Sequence, residues 1–177
     1  MTPGAEGTKR APRFAEPPDA AEVARVVNLA YRVEDFFIRG DRTDPGDALE
    51  RIARPGAGFL VIDDEQPGRL AAAVYVERRG KVGYFGLLAV DPVHQGRGLA
   101  RRVIAAVEEH FARLGCEAVE IDVVNLRTEL PAFYETLGYA PTGTAPFKDA
   151  YKLKRPAEMI LMRRAIIPPV PDPTGEP

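Results

Sequence analysis

The segment HQGRGLARR, residues 94–102, lies between an apolar run that ends at Val90 and an amphipathic run that begins at Leu99. From Gly98 onward Leu99, Val103, Val107, Phe111 and Leu114 step by four, four, four and three, the spacing of one apolar stripe on a helix. Gly115 stands where a left-handed cap would close that helix. A strand that turns through two glycines into a helix leaves the first helical N–H groups unpaired at the positive end of the helix dipole, which makes an anion site. Gly96 and Gly98 keep side chains away from those donors, and Arg97, Arg101 and Arg102 add positive charge nearby. A nucleotide-bearing ligand follows; the plain alternative is a tight strand-to-helix turn that binds nothing. A dinucleotide fingerprint would need Gly or Ala where Arg101 stands, and the chain has no G-x-x-x-x-G-K-S/T run, so neither familiar phosphate motif applies.

The same helix links a strand at 84–90 to AVEIDVV at 118–124, and a strand–helix–strand crossover of that length demands a parallel pair. Upstream, Asp19 is placed to cap a helix through Val23, Val26, Val27, Ala30 and Tyr31; a loop-like stretch and a helical ALERIAR (48–54) follow. GFLVIDD, LAAAVYVERR and KVGYFGLLAV read as three strands separated by turn residues. Downstream come a short helix from Pro131 to Leu137, ended by Gly138, and a last strand, EMILMRRAI, at 158–166. This is a mixed α/β sheet in a single domain over 13–167, with Pro-rich flexible tails at 1–12 and 168–177.

Composition narrows the function classes. With 45% hydrophobic and 28% charged residues and a formal net charge of −2 over 177 residues, the chain is of the soluble globular class and lacks the basic footprint of a nucleic-acid binder. Cys116, the only cysteine, rules out an internal disulfide and a cysteine-ligated metal. Neither His94 nor His110 has metal-ligand spacing, so no metal is expected. The start lacks a signal-peptide core, and the longest apolar runs, such as LAAAVYV, are too short to cross a bilayer; the expected location is the cytoplasm, with no membrane partner.

VDPVHQGRGLARRVI closely resembles the acyl-CoA-binding segment of the GNAT N-acetyltransferase superfamily, whose pattern Q/R-x-x-G-x-G/A is met by Gln95, Gly98 and Ala100. FYETLGY at 133–139 resembles that superfamily's second hallmark, and the order of elements agrees over about 13–165. The resemblance implies a mostly antiparallel central sheet with one splayed parallel strand pair and helices on both faces. It implies acetyl-CoA as co-substrate, its pyrophosphate cradled by the backbone of Gln95, Gly96, Arg97, Gly98, Leu99 and Ala100 with Arg101 alongside, and its pantetheine arm in the splay. By similarity the Leu88 N–H would stabilise the oxyanion, Val90 would bond pantetheine, and Tyr134 would be the general acid. The alternative for Tyr134 is core packing beside Phe133 and Leu137.

Several assignments stay open at this level. Asn125 could hold a pantetheine amide or simply form a turn, because Arg127 stands seven residues before the tyrosine where many members carry the asparagine. A general base could be Glu120, Asp122, Tyr84 or a water. RVEDFFIRGDRTD together with Phe147, Lys148, Tyr151 and Lys152 would form the acceptor walls, with no substrate legible. Cys116, after a helix cap, is at the wrong end of its strand for a nucleophile, which favours direct attack of a small-molecule or peptide amine. A longer acyl donor and a non-catalytic acyl-CoA-binding module are the other readings, and a homodimer is plausible.

Overall fold

The computed structural model describes residues 10–166; the expected C-terminal tail and residues 1–9 of the N-terminal one lie outside the described residues. Seven strands form one sheet in the order β1-β2-β3-β4-β5-β7-β6, where β1 is Arg13–Phe14, β2 Ala57–Asp63, β3 Leu70–Arg79, β4 Val82–Val90, β5 Ala118–Val124, β6 Ala140–Pro146 and β7 Glu158–Ala165. Only β4 and β5 run parallel, and they are linked by helix α3, Leu99–Arg113, as the crossover demands. Helices α1 (Ala20–Ala30) and α2 (Pro45–Ala53) complete the N-terminal half, and α4 (Glu129–Thr136) follows β5.

Alternation along the strands buries two faces. Phe59, Val61, Ala73 and Tyr75 meet Val23, Val26 and Val27 of α1 on one side; Leu60, Ile62, Val74, Val76 and Phe85 meet Leu99, Val103, Val107 and Phe111 of α3 on the other. The stripe of α3 is buried as expected except for Leu114, which stands past the last helical residue and is 38% exposed. The cap itself has the expected form: the Gly115 N–H reaches the Ala112 carbonyl and the Cys116 N–H that of Phe111, a Schellman closure at φ +76°.

Four expectations need correction. Asp19 does stand before α1, but its carboxylate accepts from the Glu16 N–H and from Arg13, closing the 3-10 turn at Pro17–Asp19 instead of capping the helix. Helix α2 begins three residues earlier than the apolar pattern indicates, because Pro45 opens it and Asp44 accepts from the Asp47 N–H. Likewise α4 starts at Glu129, with Pro131 inside its first turn. Two edge strands are additional to the expected set: β1, which pairs through Arg13↔Val61, and β6, whose APTGTAP composition suits only an edge.

Candidate active site

Strands β4 and β5 pair at only three positions, Val82↔Ala118, Gly83↔Val119 and Tyr84↔Glu120, and then diverge. On its other side β4 carries a bulge: Ala73↔Ala89 and Tyr75↔Gly86 leave Val74 facing both Leu87 and Leu88. Leu87 pays for the extra residue with φ 50°, the only non-glycine positive φ among the described residues. The bulge reverses the side-chain alternation. Phe85 packs on the α3 face, Leu87 on the α1 face, and Leu88 and Val90 return to the α3 face. Leu88 thus stands at the open edge of the wedge with its backbone offset from regular pairing.

Two cavities, of about 250 and 290 Å³, occupy the wedge and share Tyr31, Glu34, Leu88, Leu130 and Tyr134. One reaches Val90, Gln95 and Ala100 at the α3 start; the other reaches Tyr84, Asp122, Phe147 and Lys148. The α3 start forms a cradle of open donors. Asp91 caps the 3-10 turn Pro92–His94 by accepting from the Val93 N–H at 3.1 Å, and Arg25 holds Asp91 at 2.8 Å. The Gln95 side chain donates to the Val90 carbonyl at 3.2 Å, folding the turn against the end of β4. Gly98, at the N-cap position, supplies no side-chain acceptor, so the first-turn N–H groups of α3 remain available to a ligand.

The glycines serve the turn itself as well as the open space beside it. A Cβ at Gly96 or Gly98 would meet no protein atom within 4 Å, but both have left-handed φ, +78° and +77°, so they permit the turn itself. Arg97 is exposed, Leu99 is buried core, and Arg101 leans on α4, its guanidinium 5.3 Å from the Phe133 ring centroid and 3.3 Å from the Thr136 hydroxyl. These features fit a diphosphate: open donors at a helix start, cationic neighbours, and a cavity leading from the donors into the wedge.

Tyr134 projects from α4 against Phe85, Phe133 and Tyr139 and is 6% exposed, lining both cavities. Burial raises its phenol above the ordinary value, partly offset by Arg127. Across the wedge the Tyr84 hydroxyl donates to Asp122 at 2.6 Å, while Arg79 stacks on the Tyr84 ring at 3.9 Å. Burial and the Asp122 charge raise the Tyr84 phenol as well. Glu120 and Asp122 share a strand face but separate in role, for Glu120 pairs with Arg163 at 2.7 Å among half-exposed side chains and does not line the cavities.

Asn125 is also kept out of the wedge. Its side-chain carbonyl accepts from the Glu158 N–H at 3.1 Å and its own N–H reaches the Glu158 carbonyl, stapling β5 to β7. Arg127 pairs with Glu34 at 3.3 Å and Glu129 at 2.6 Å, facing the cavity that reaches Gln95. Glu34, one of the acids of the expected acceptor wall at 32–44, is buried and bonded also to Arg42 at 2.7 Å. His94, beside the cradle, bonds Asp64 at 2.8 Å and tethers the β2–β3 turn to it. Among the described residues no group of His, Cys, Asp and Glu could hold a metal, and no helix is long and apolar enough to cross a membrane.

Residues 27–139, which include the wedge and the cradle, match the acetyltransferase (GNAT) family. The chain belongs to the GNAT acetyltransferase family. Within it the chain is 39% identical over 100 residues to glucosamine 6-phosphate N-acetyltransferase 1 of Oryza sativa subsp. japonica, covering 51% of this chain and 59% of that protein. It is 31% identical over 133 residues to mycothiol acetyltransferase of Mycobacteroides abscessus, covering 72% of this chain and 44% of that protein. The chain therefore spans less than two thirds of either relative. The ribosomal-protein-S18-alanine N-acetyltransferase of Escherichia coli shares the GNAT fold at TM-score 0.70 and 16% identity, over 93% of this chain and 97% of that one. A phosphinothricin acetyltransferase from Sinorhizobium meliloti, solved with acetyl-CoA, superposes at TM-score 0.70 and 15% identity, over 88% of each chain.

Proposed function

We propose that this GNAT-family chain transfers the acetyl group of acetyl-CoA directly to the primary amine of a small molecule, with both substrates bound together. The observation that carries the reading is the pair of cavities meeting at Leu88 and Tyr134, one open to the α3 cradle and one to the Tyr84–Asp122 pair. The named curated relatives act on small molecules, which favours that acceptor class over a peptide.

Bound acetyl-CoA supplies the thioester whose acyl carbon the amine attacks. The backbone of Gln95 to Ala100 holds the diphosphate, with Arg101 beside it, and Val90 lies along the pantetheine path. Leu88 lines both cavities at the offset of the bulge, where its N–H would stabilise charge developing on the acyl oxygen. Tyr134, kept neutral by burial, stands ready as proton donor for the departing thiolate and is reprotonated by the second proton that the amine nitrogen loses. Asp122 has one carboxylate oxygen engaged by Tyr84, leaving the other to receive the incoming ammonium, whose proton then passes to solvent.

The test is thiol release from acetyl-CoA across a panel of small amines, amino acids and peptides. A small primary amine should raise release well above the rate of acetyl-CoA hydrolysis. Release that no amine accelerates would remove the transferase reading.

A further inference from the structure

Beside the wedge lies a third cavity of about 360 Å³, which shares Tyr31 and Arg42 with the acceptor-side cavity. Its charged lining is Arg32, Arg39, Arg42 and Lys154 against Asp35 and Asp41, an excess of two cations. Among the described residues the exposed side chains of Arg32 and Arg39, which line this cavity, have no ion-pair or hydrogen-bond partner and so are free to pair with an anion that enters.

The backbone that carries these cations is fixed at several points. Asn28 on α1 accepts from the N–H groups of Arg42 and Thr43 and donates to the Thr43 carbonyl at 2.9 Å, fixing the loop that carries them. Glu34 anchors the Arg42 guanidinium, whose side chain is only 11% exposed. The segment before β7 is clasped to the same loop: Ile38 bridges Leu153, the Arg39 N–H reaches the Lys152 carbonyl at 3.0 Å, the Lys154 N–H reaches the Phe37 carbonyl at 2.7 Å, and the Lys154 ammonium donates to the Asp35 carbonyl at 2.5 Å. Cations from two loops therefore converge on one cavity, Arg42 and Lys154 already held by their side chains and Arg32 and Arg39 free to turn toward an anion. The acceptor region is polar in a definite sense, with a carboxylate at Asp122 inside and unpaired guanidinium groups outside, joined at Arg42.

We propose that the acceptor is a primary amine that also carries an oxyanion, a carboxylate or a phosphate, seated by Arg32, Arg39, Arg42 and Lys154 while its amine faces Asp122. This rests on the transferase reading and names the substrate class of its site. A guanidinium–oxyanion contact strengthens binding by about tenfold.

The experiment measures binding to the full chain saturated with coenzyme A, at constant ionic strength, so that the α3 cradle is already filled. The probes are propylamine, β-alanine and O-phosphoethanolamine, followed by calorimetry, with the variant Arg32→Ala/Arg39→Ala beside the wild type. At least one anionic amine should bind about tenfold tighter than propylamine, and that ratio should fall to about twofold in the double variant. Whichever of β-alanine and O-phosphoethanolamine gains more identifies the oxyanion. Equal binding of all three probes, an advantage that survives the double substitution, or no binding of either anionic amine would each overturn the proposal. Failure of coenzyme A itself to bind would instead overturn the transferase reading beneath it.

Discussion

Tyr134 can act as a donor only while protonated, and its surroundings secure that state. Burial disfavours the phenolate, so the folded-state value lies above the ordinary one of about 10 and the hydroxyl keeps its proton through the neutral and mildly alkaline range. Tyr134→Phe should lower kcat roughly 10²-fold with little change in acetyl-CoA affinity. In the wild type, kcat should not fall between pH 7 and 9.5; a fall in that window that vanishes in the Phe variant would show that the phenol ionises there. Gly86 makes a second single-atom claim: a Cβ there would stand 2.6 Å from the Tyr84 hydroxyl. Gly86→Ala should displace that hydroxyl from Asp122, raise the acceptor KM more than the acetyl-CoA KM, and cost about 1–3 kcal/mol in chemical denaturation. Equal KM effects would separate Tyr84–Asp122 from the acceptor. The α3 turn was legible in sequence because its setting is local, a glycine turn before an amphipathic helix, whereas Tyr134 was singled out by the family resemblance of FYETLGY. Glu34 was legible only as one acid of the acceptor-side stretch; its pairing with Arg127, 93 residues away, was not, because sheet topology alone brings the two together. Glu120 and Asp122 looked equivalent for a related reason, since the divergence of β4 after Tyr84, which gives them different surroundings, leaves no mark on β5 itself.

At the level of elements, the strands and helices with a clear period were readable and the edges were not. β6 carries two prolines and a glycine, a composition that opposes a strand everywhere except at an edge, and β1 is two residues long, too short for any alternation. What holds β1 is electrostatic. Arg13 donates to Asp63 at two points, each 2.8 Å, and to Asp19 at 2.8 and 3.1 Å, joining β1, β2 and the entry to α1. These bonds from Arg13 lower the carboxyl values of both Asp19 and Asp63. A carboxyl depressed in the folded state stabilises above its unfolded value, about 3.9, and loses that stabilisation as pH falls through the folded value. Arg13→Met should therefore lower Tm at pH 7 and flatten its decline below about pH 4. Parallel acid profiles for the two proteins would mean that the cluster contributes nothing to acid sensitivity.

The molecule as a whole is a sheet that is nearly two sheets. Strands β1 to β4 with α1 and α2 form one half and β5, β7 and β6 the other; they are joined by three parallel pairings, the crossover helix α3, the clasp of Ile38 on Leu153 and the side-chain bonds Arg127–Glu34 and Tyr84–Asp122. A ligand running from the α3 start into the wedge would touch both halves and bind only their native arrangement, so it should stabilise by mass action, about 2.7 kcal/mol at a hundredfold excess over Kd. For a chain of 177 residues that is a rise in Tm of about 5–10 °C, growing with the logarithm of coenzyme A concentration. Gly98 separates this mechanism from adventitious binding. Its left-handed φ of +77° makes any Cβ costly by about 1–2 kcal/mol, yet no protein atom lies within 4 Å, so Gly98→Glu should fold with a Tm a few degrees lower. Its carboxylate would then stand at the helix start where the diphosphate belongs, and the rise with coenzyme A should disappear. Gly98→Asn, which tolerates the left-handed conformation and adds no charge, should keep much of the rise. If Gly98→Glu retained the full rise, the diphosphate would have to lie away from α3, and the two halves of the sheet would owe nothing to a ligand held there.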